Sequence, residues 1–230
     1  MTEAVLFDAL GTLVRLEPPW DSLPALLRAR HGVEVSEDDA RRAMLAEMSY
    51  YRAHHREGRD AASLRDLRRR CAEVLREELP AVASLPEEAL VEALLDAIRF
   101  TPYPDAAPAL GVVRSLGLRA AVVSNWDCSL GSVLEDLGLG GLLNVVVTSA
   151  QAGAAKPDPA IFEFALQEVR CSAENALFVG DSPETDIAGA RSAGLRAVLI
   201  DRSPSIGDSG DVETIPSLEG LPELIPASAR

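Results

Sequence analysis

Cysteine is scarce in the sequence, and no two cysteines stand at the short spacing of a metal-binding pair. The three are Cys71, Cys128 and Cys171, far apart in a chain of 230 residues. Their separation argues against a metal site built on cysteine ligands. We expect ordinary thiols in a reducing compartment, buried as small hydrophobic side chains.

Positive charge is also scarce. The chain has 22 lysines and arginines against 36 aspartates and glutamates, which gives a net charge of −14. An acidic surface repels a phosphate backbone, so nucleic acid is not expected as a partner. A binding site for a phosphate group would therefore need a local positive centre, such as a metal ion, a lysine or a helix N-terminus.

The sequence lacks a long apolar stretch, and its N-terminus has no basic segment of the kind that begins a signal peptide. These absences predict neither a secretion signal nor a membrane span, which favours a cytoplasmic location. Hydrophobic residues make up 47% of the chain and charged residues 25%, a balance typical of globular proteins. The length predicts one large domain or a core with a smaller appendage.

Continuous apolar runs alternate with helical segments along the chain. The runs predict strands at 4–7, 119–123, 145–148, 176–179 and 197–200, with a short last strand at 212–215. Helices are predicted at 106–115, 130–137, 159–168 and 186–193. Strands that are apolar throughout are typical of a parallel sheet covered on both faces. A Ser-, Gly- and Asp-rich stretch at 203–210 predicts a loop.

The segment from about Trp20 to Arg99 has a different composition, rich in Ala, Leu, Arg and Glu, with apolar residues at helical spacing. Within it, Ser63 and Asp66 have the spacing of a helix-capping motif. We therefore predict an α/β fold, a Rossmann-like doubly wound parallel sheet core with an all-helical cap domain inserted after the first strand. The core would comprise residues 1–16 and 101–230, and the cap residues 17–100.

Polar side chains follow four of the predicted strands or helices. The four groups are Asp8 with Thr12, Ser124 with Asn125, Lys156 before Pro157, and Asp181 with Asp186. In open α/β sheets, ligands bind beyond the carboxyl ends of the strands. One such group alone would be weak evidence, because an aspartate at a strand end is often a helix cap. The ordered set of four predicts a single site.

Three carboxylates in one pocket, from Asp8, Asp181 and Asp186, need a cation to offset their repulsion. Oxygen ligands with open coordination positions favour Mg²⁺. Lys156 would supply a point charge against the phosphoryl oxygens, and nearby hydroxyl and backbone N–H groups could hydrogen-bond them. An aspartate so placed could attack phosphorus and form an aspartyl-phosphate.

These residues resemble the motifs of the haloacid dehalogenase superfamily of hydrolases. The matching segments, in order along the chain, are 7–13 (FDALGTL), 123–125 (VSN), 156–162 (KPDPAIF) and 179–190, which contains Asp181 and Asp186. The resemblance covers the whole chain and implies a Rossmann-like core with a mobile cap. The insert lies between the first and second motifs, as in members of the superfamily with a helical cap in that position.

The resemblance also implies a role for each matched residue. Asp8 would be the nucleophile and a metal ligand, Lys156 would balance charge, and the backbone carbonyl of Leu10 would bind the metal. The remaining roles are contacts with the phosphoryl group by Thr12 and Ser124, with Asn125 beside them, direct Mg²⁺ binding by Asp181, and fixing of the metal or its waters by Asp186.

Leu10 departs from the pattern of the family's phosphatases, which usually carry a second Asp two residues after the nucleophile. That Asp protonates the leaving group and then activates water, and leucine can do neither. General acid–base catalysis is typically worth about 10²–10⁴-fold in rate, or about 3–5 kcal/mol of barrier. Three interpretations stay open. The chain could be a phosphatase for good leaving groups (or one that borrows an acid from the cap), a 2-haloacid dehalogenase, or a non-catalytic binder of phosphorylated metabolites.

Asp181 and Asp186 favour the phosphatase among these interpretations. Dehalogenases of the family are metal-free and lack this carboxylate pattern, which makes sense mainly if a cation is bound. The prediction is a Mg²⁺-dependent hydrolase that acts through an aspartyl-phosphate on a small phosphorylated metabolite. No nucleic acid and no membrane partner are expected, and the chain would be a monomer or a homodimer.

The predicted cap contains a segment, 50–56, that concentrates two tyrosines, two histidines and two arginines. One interpretation makes it a lid face in which His54 or His55 supplies the missing acid, since histidine has a suitable unperturbed pKa. The alternative is a partly exposed helix whose aromatic side chains cover the core. The sequence favours the second interpretation.

Overall fold

The computed structural model describes residues 2–203 and 212–225. The chain divides into two units, Met1–Arg15 with Pro102–Arg230, and Leu16–Thr101. They are called here the α/β unit and the helical unit. The sequence-based boundaries, at 16–17 and 100–101, each lie one residue from these. Of the loop predicted at 203–210, only Ser203 is among the described residues.

The strands and helices follow the alternation expected from the sequence. The strands are β1 (Ala4–Phe7), β2 (Val14–Glu17), β3 (Arg99–Pro102), β4 (Arg119–Ser124), β5 (Val145–Thr148), β6 (Ala176–Gly180), β7 (Arg196–Ile200) and β8 (Glu213–Ile215). The helices of the helical unit are α1 (Pro19–His31), α2 (Glu37–His54), α3 (Ala61–Glu78) and α4 (Glu87–Ala97). Those of the α/β unit are α5 (Ala106–Ser115), α6 (Leu130–Asp136), α7 (Ser149–Ala152), α8 (Pro159–Val169), α9 (Ala188–Ser192) and α10 (Leu221–Leu224).

Among the described residues, six strands form one parallel sheet in the order β5-β4-β1-β6-β7-β8. In its register, Phe7 on β1 lies opposite Val122 on β4 and Val179 on β6. The chain adds strands on one side of β1 and later on the other, so the strand order reverses there. The carboxyl ends of β1, β4 and β6 therefore meet at the switch point where α/β sheets bind ligands. The predicted doubly wound α/β fold is confirmed.

The central strands are held in place by apolar packing on the faces of the sheet. β1 and β6 are buried along their whole length. One hydrophobic cluster includes Leu6, Phe162, Phe178 and Ile187, and the rings of Phe162 and Phe178 meet edge-on with centroids 5.1 Å apart, a favourable geometry. Burial of apolar surface contributes about 25 cal/mol per Å² to the stability of the folded protein. This packing therefore holds the strands, and with them the residues that follow their carboxyl ends, in fixed positions.

Several features of the chain differ from the prediction. β2 and β3 form a separate two-stranded sheet. Half of the residues in these two strands are charged or proline, so a search for apolar runs does not detect them. The helix predicted at 186–193 is a π-helical segment, Pro183–Ile187, followed by α9.

The helical unit has a hydrophobic core of its own. Leu27, Met44, Leu75 and Leu90, one from each of α1 to α4, are fully buried in it, as expected from apolar residues at helical spacing. In the part of the chain that the structure describes, no helix is long and apolar enough to cross a membrane.

The capping motif predicted at the N-terminus of α3, Ser63 with Asp66, is wrong, because it lies three residues too late in the sequence. Asp60 is the N-cap, and its carboxylate accepts hydrogen bonds from the N–H groups of Ala62 and Ser63, both at 2.9 Å. Ser63 Oγ in turn accepts from Asp60 N at 3.0 Å, which closes a capping box. Asp66 pairs instead with Arg70, one turn further along the helix.

Glu47 is a buried acidic side chain within the helical unit. It lies on α2, and only 3% of its surface is exposed. Burial disfavours the charged carboxylate and raises the pKa of Glu47 from its ordinary value of 4.5 to about 7, while a hydrogen bond with Cys71 acts in the opposite direction. The folded protein therefore binds this proton more tightly than the unfolded chain does.

Glu47→Gln should stabilise the protein at high pH but not at low pH. The stability that the protonated Glu47 contributes is fully present below about pH 4.5 and is lost as the pH rises through about 7. The loss is about 3 kcal/mol at most, and an uncharged glutamine avoids it. Thermal unfolding of both proteins across this pH range measures the effect. Glu77→Gln, at an exposed position on α3, is the control. The same pH dependence in native protein and Glu47→Gln would contradict the prediction.

Candidate active site

Three adjacent strands end in polar residues at one edge of the sheet. Asp8 follows β1, Ser124 is the last residue of β4, and Asp181 follows the last residue of β6. The amide of Asp8 still pairs with β6, donating to Val179 O at 2.9 Å, so the sheet itself positions this residue. Ser124 Oγ donates to Asp8 Oδ1 at 3.1 Å.

The carboxylates of Asp8, Asp181 and Asp186 form a close cluster, in which one oxygen atom from each lies within 4.8 Å of the others. Burial raises the pKa of Asp8 to about 6 against the opposing charge of Lys156, and the charge of Asp186 adds to the increase. Burial, followed by the charges of Asp8 and Asp186, raises the pKa of Asp181 to about 7. Burial is the main cause of both increases, and the like charges within the cluster add to them.

Lys156 supplies a positive charge within this cluster. Its Nζ forms ion pairs with Asp8 and, at 2.5 Å, with Asp186. Burial by itself would lower the pKa of Lys156, but the two carboxylates outweigh it and hold the pKa above its ordinary value. The lysine therefore stays charged. When all three carboxylates are ionised, two negative charges remain without a partner charge in the cluster.

Asn125 holds the backbone of Lys156. Its Oδ1 accepts from Lys156 N at 2.7 Å, and its Nδ2 donates to Lys156 O at 3.0 Å. The sequence did not predict this contact, which makes Asn125 a positioning residue for the lysine. The predicted contact of Asn125 with substrate stays a prediction.

The loop after β1 carries Gly11 and Thr12. Gly11 has a φ of 90°, a conformation that favours glycine, and a Cβ built there would overlap the carboxylate of Asp181. Thr12 is fully buried, and its Oγ1 has no hydrogen-bond partner among the described residues. Since a buried hydroxyl without a partner costs free energy, this atom suits a hydrogen bond to a ligand oxygen.

Asp186 lies in the π-helical segment Pro183–Ile187. The amide of Ile187 donates to Ser182 O at 3.1 Å, the spacing of a π-helix, and such segments are frequent at functional sites. Asp186 Oδ2 accepts from Ser182 N at 3.0 Å, next to the end of β6. A Cβ built on Gly180 would lie 2.5 Å from the carboxyl carbon of Asp186, so this close approach requires glycine.

Leu10 lies in the same loop as Gly11, and 38% of its surface is exposed. Its backbone forms an isolated bridge with Val14. The side chain offers no group that could donate or accept a proton. The predicted binding of a metal ion by the backbone carbonyl of Leu10 stays a prediction.

His54 and His55 pack against tyrosines within the helical unit. The His54 ring stacks on Tyr50 with centroids 4.0 Å apart, and its Nδ1 lies 2.7 Å from Tyr50 O. His55 is buried, with its ring 6.0 Å from that of Tyr51. These contacts agree with the packing interpretation of the segment 50–56. A role of either histidine as an acid stays a prediction.

Arg202 is a residue of this region that sequence reasoning missed. It follows β7 by two residues, and its guanidinium donates to the carbonyls of Gly11 and Thr12 and to the carboxylate of Asp105. The strand-end rule could have identified it, because the apolar run at 197–200 is followed at once by Asp and Arg.

The donor set fits a hard divalent cation. Such ions prefer carboxylate, carbonyl and water oxygens, and the three clustered carboxylates supply ligands of this kind. A divalent charge would also compensate the two negative charges that Lys156 leaves over. The chemistry of the site therefore suits a cation together with an anionic ligand.

A doubly wound parallel sheet with a carboxylate cluster and a buried lysine at its carboxyl edge defines a class of α/β proteins that bind charged ligands at the switch point. Residues 2–194 match the haloacid dehalogenase-like hydrolase family. The chain belongs to this family, and the resemblance drawn from the sequence motifs is confirmed.

Several relatives carry the names of phosphatases. Phosphoserine phosphatase of Thermus thermophilus is 38% identical over 133 residues, which cover 56% of this chain and 53% of that protein. Glyceraldehyde 3-phosphate phosphatase of Methanopyrus kandleri is 31% identical over 214 residues, which cover 88% of this chain and 85% of that protein. For several curated relatives, the chain spans about half of their length.

Solved structures of both phosphatases and dehalogenases share the fold. The HAD phosphatase of Thermococcus onnurineus has a TM-score of 0.69 and 27% identity, covering 98% of this chain and 99% of that one. A 2-haloacid dehalogenase of Pseudomonas syringae pv. Tomato has the same TM-score at 24% identity, covering 97% and 98%. The second likeness shows the fold alone, and the fold does not decide between the two activities.

Thr12→Val should weaken phosphate binding without destabilising the fold. Valine keeps the shape of threonine but lacks the hydroxyl, which has no partner among the described residues, so the free energy of unfolding should stay equal or rise by about 1 kcal/mol. Loss of one hydrogen bond should weaken the binding of inorganic phosphate about 5- to 10-fold. Chemical denaturation and calorimetry measure the two effects.

The contrasting variant is Thr148→Val. Thr148 Oγ1 accepts from Gln151 N at the start of α7, so its removal should cost about 1 kcal/mol of stability and leave phosphate binding unchanged. A Thr12→Val protein that is destabilised while its phosphate affinity is unchanged would contradict the assignment of Thr12.

Proposed function

We propose that the chain is a Mg²⁺-dependent phosphatase of a small phosphorylated metabolite, with Asp8 as the nucleophile. The observation that carries this proposal is the cluster of three carboxylates around Lys156. A metal-free dehalogenase has no cation to offset the repulsion among three carboxylates in one site. The hydroxyl of Thr12, which has no hydrogen-bond partner among the described residues, and the phosphatase names of several relatives support the same reaction.

The reaction would proceed in two displacements at phosphorus. In the first, a carboxylate oxygen of Asp8 attacks phosphorus, the bond to the leaving-group oxygen breaks, and an aspartyl-phosphate forms. In the second, water attacks phosphorus, the bond to Asp8 breaks, and inorganic phosphate leaves. Lys156 would hold its positive charge against the phosphoryl oxygens in both steps, while Thr12 and Ser124 orient them.

Mg²⁺, when bound, would supply neutralisation of negative charge and orientation of the phosphoryl group. Asp8, Asp181 and the backbone carbonyl of Leu10 would hold it directly. Asp186 already accepts hydrogen bonds from Lys156 Nζ and from the amide of Ser182. We therefore assign Asp186 to fixing the metal or its waters.

Leu10 sets the class of substrate in this proposal. An alkyl alcohol leaves phosphorus slowly without a proton, and leucine cannot donate one. Acyl phosphates and aryl phosphates have leaving groups of low pKa that depart without protonation, so the missing acid costs them less. The substrate class that fits the site is therefore an activated phosphomonoester.

The proposal also covers the role of the helical unit, the location of the protein and its partners. The helical unit would act as the cap that selects the substrate, since in this architecture specificity lies outside the core motifs. The protein would act in the cytoplasm as a monomer or a homodimer, on a small molecule and without nucleic acid or a membrane.

A second candidate function is dehalogenation of a 2-haloacid, which the exposed Leu10 favours. Halide leaves carbon without a proton, so an acid at this position would be unnecessary. The two functions differ in their need for a cation: the dehalogenase would release halide in the presence of a chelator. A chain without either turnover that still binds phosphate would be a metabolite-binding member of the family.

Hydrolysis of p-nitrophenyl phosphate should require both Mg²⁺ and Asp8. Removal of the metal with a chelator should abolish turnover, and Asp8→Asn should lower kcat by at least about 10³-fold, because an amide is a poor nucleophile. Asp8→Asn should still fold, since Lys156 keeps its ion pair with Asp186. Release of nitrophenolate is the measurement, and Asp136→Asn, at an exposed position on α6, is the control. Halide release from a 2-haloacid without metal, with no phosphate turnover, would overturn the proposal.

Leu10→Asp should raise turnover on poor leaving groups more than on good ones. An aspartate at this position supplies the general acid, worth about 10²–10⁴-fold where proton donation limits the rate. The measured quantity is the ratio of kcat/KM for an alkyl phosphate to kcat/KM for p-nitrophenyl phosphate. Leu10→Asn, of the same shape but without an acid, is the control. An equal ratio in all three proteins would show that position 10 does not limit the reaction.

A further inference from the structure

The loop 9–13 lies next to the nucleophile and is only partly held by its own hydrogen bonds. The amides of Leu13 and Val14 both donate to Ala9 O at 2.9 Å, and Gly11 N donates to Val14 O at 2.8 Å. These bonds close the loop at its two ends. They leave the carbonyl groups at the tip of the loop to be bound from elsewhere.

Arg202, which lies far from this loop in the sequence, binds the carbonyl groups at its tip. Its Nη2 donates to Thr12 O at 2.7 Å, and its Nε donates to Gly11 O at 3.3 Å. Nη1 and Nη2 also donate to the two carboxylate oxygens of Asp105 at 3.0 and 2.9 Å. The guanidinium carbon lies 3.6 Å from the ring centre of Tyr103, a cation–π contact. Every nitrogen of the guanidinium thus has a defined partner.

The carboxylate of Asp105 binds Arg202 and does not cap the helix that follows it. It stands at the N-cap of α5, where an aspartate usually accepts from the first amides of the helix, but its side chain makes no such bond. Its Oδ2 accepts instead from Leu218 N at 2.8 Å, in addition to Arg202. The carboxylate is therefore fixed from two sides and holds the arginine in one orientation.

We propose that Arg202 is a positioning residue of the active site, which fixes the backbone of Gly11 and Thr12 relative to Asp8 and Asp181. The proposal rests on the phosphatase function proposed above. Gly11 lies so close to Asp181 that a Cβ would overlap its carboxylate, and Thr12 carries the unpartnered hydroxyl. A shift of the loop would move both groups, and a displacement of about 1 Å can cost about 10²-fold in rate.

Lysine at position 202 would keep the positive charge and lose the geometry. A guanidinium is planar and presents five N–H donors in fixed directions, whereas an ammonium has a single nitrogen. One nitrogen cannot bind two carbonyl oxygens and both oxygens of a carboxylate in this arrangement. Arg202→Lys therefore separates positioning from charge.

The test compares Arg202→Lys and Arg202→Gln with a matched control, Arg196→Gln. Arg196, at the opposite end of β7, also binds one carboxylate, that of Glu213, and one backbone carbonyl, that of Leu224. Turnover of p-nitrophenyl phosphate at saturating Mg²⁺ gives kcat and KM for each protein. Hydrogen–deuterium exchange of the amides at 9–14, measured without metal or substrate, reports on the loop itself.

Both Arg202 variants should lose about 10- to 100-fold in kcat and exchange faster at 9–14, with unchanged exchange in β1, β4 and β6. Arg196→Gln should match the native protein in both measurements. A kcat within about twofold of native in Arg202→Lys, or a loss of kcat without faster exchange of the loop, would overturn the inference. Faster exchange throughout the sheet would do the same, since it indicates a purely structural role. If the native chain has no phosphatase turnover, the proposed function fails, and exchange at 9–14 alone decides whether Arg202 positions the loop.

Discussion

The arrangement of the site depends on the ion pairs of Lys156 with Asp8 and Asp186. All three side chains are buried, and an unpaired charge in such a place is far more costly than a paired one. The lysine compensates one negative charge of the cluster and no more. The remaining negative charge adds to the effect of burial in raising the pKa values of Asp8 and Asp181, and this uncompensated charge is the physical reason to propose a divalent cation.

The sheet brings these charges together, and the surrounding loops fix their orientation. Adjacent parallel strands bring Asp8 and Asp181, which follow β1 and β6, to the same edge of the sheet, while a π-helical turn returns Asp186 to that edge. Lys156 comes from a loop, and Asn125 holds its backbone there. A different structural element thus holds each charged group. This suits a site in which the cation and the phosphoryl ligand must be bound in fixed positions.

The central strands and the three carboxylates could be predicted from the sequence, because strands buried on both faces leave continuous apolar runs and polar residues mark their ends. The π-helical turn could not be predicted from the sequence. It depends on two amides, those of Asp186 and Ile187, that both donate to Ser182 O, and the spacing of hydrophobic residues does not encode such a contact. The contact of Asn125 with the Lys156 backbone joins positions 31 residues apart and depends on the tertiary fold. The strand-end rule could have identified Arg202, but its partners in the loop after β1 are backbone carbonyls, which no side-chain motif predicts.

Titration of the chain with Mg²⁺ by isothermal calorimetry tests most directly whether the carboxylate cluster is a cation site. We expect one saturable site per chain, an affinity at least about tenfold lower in Asp181→Asn because a charged oxygen ligand is lost, and native affinity in Asp136→Asn. No saturable binding to the native chain, or equal affinity in Asp181→Asn, would contradict the proposal that the residual charge around Lys156 holds a metal ion.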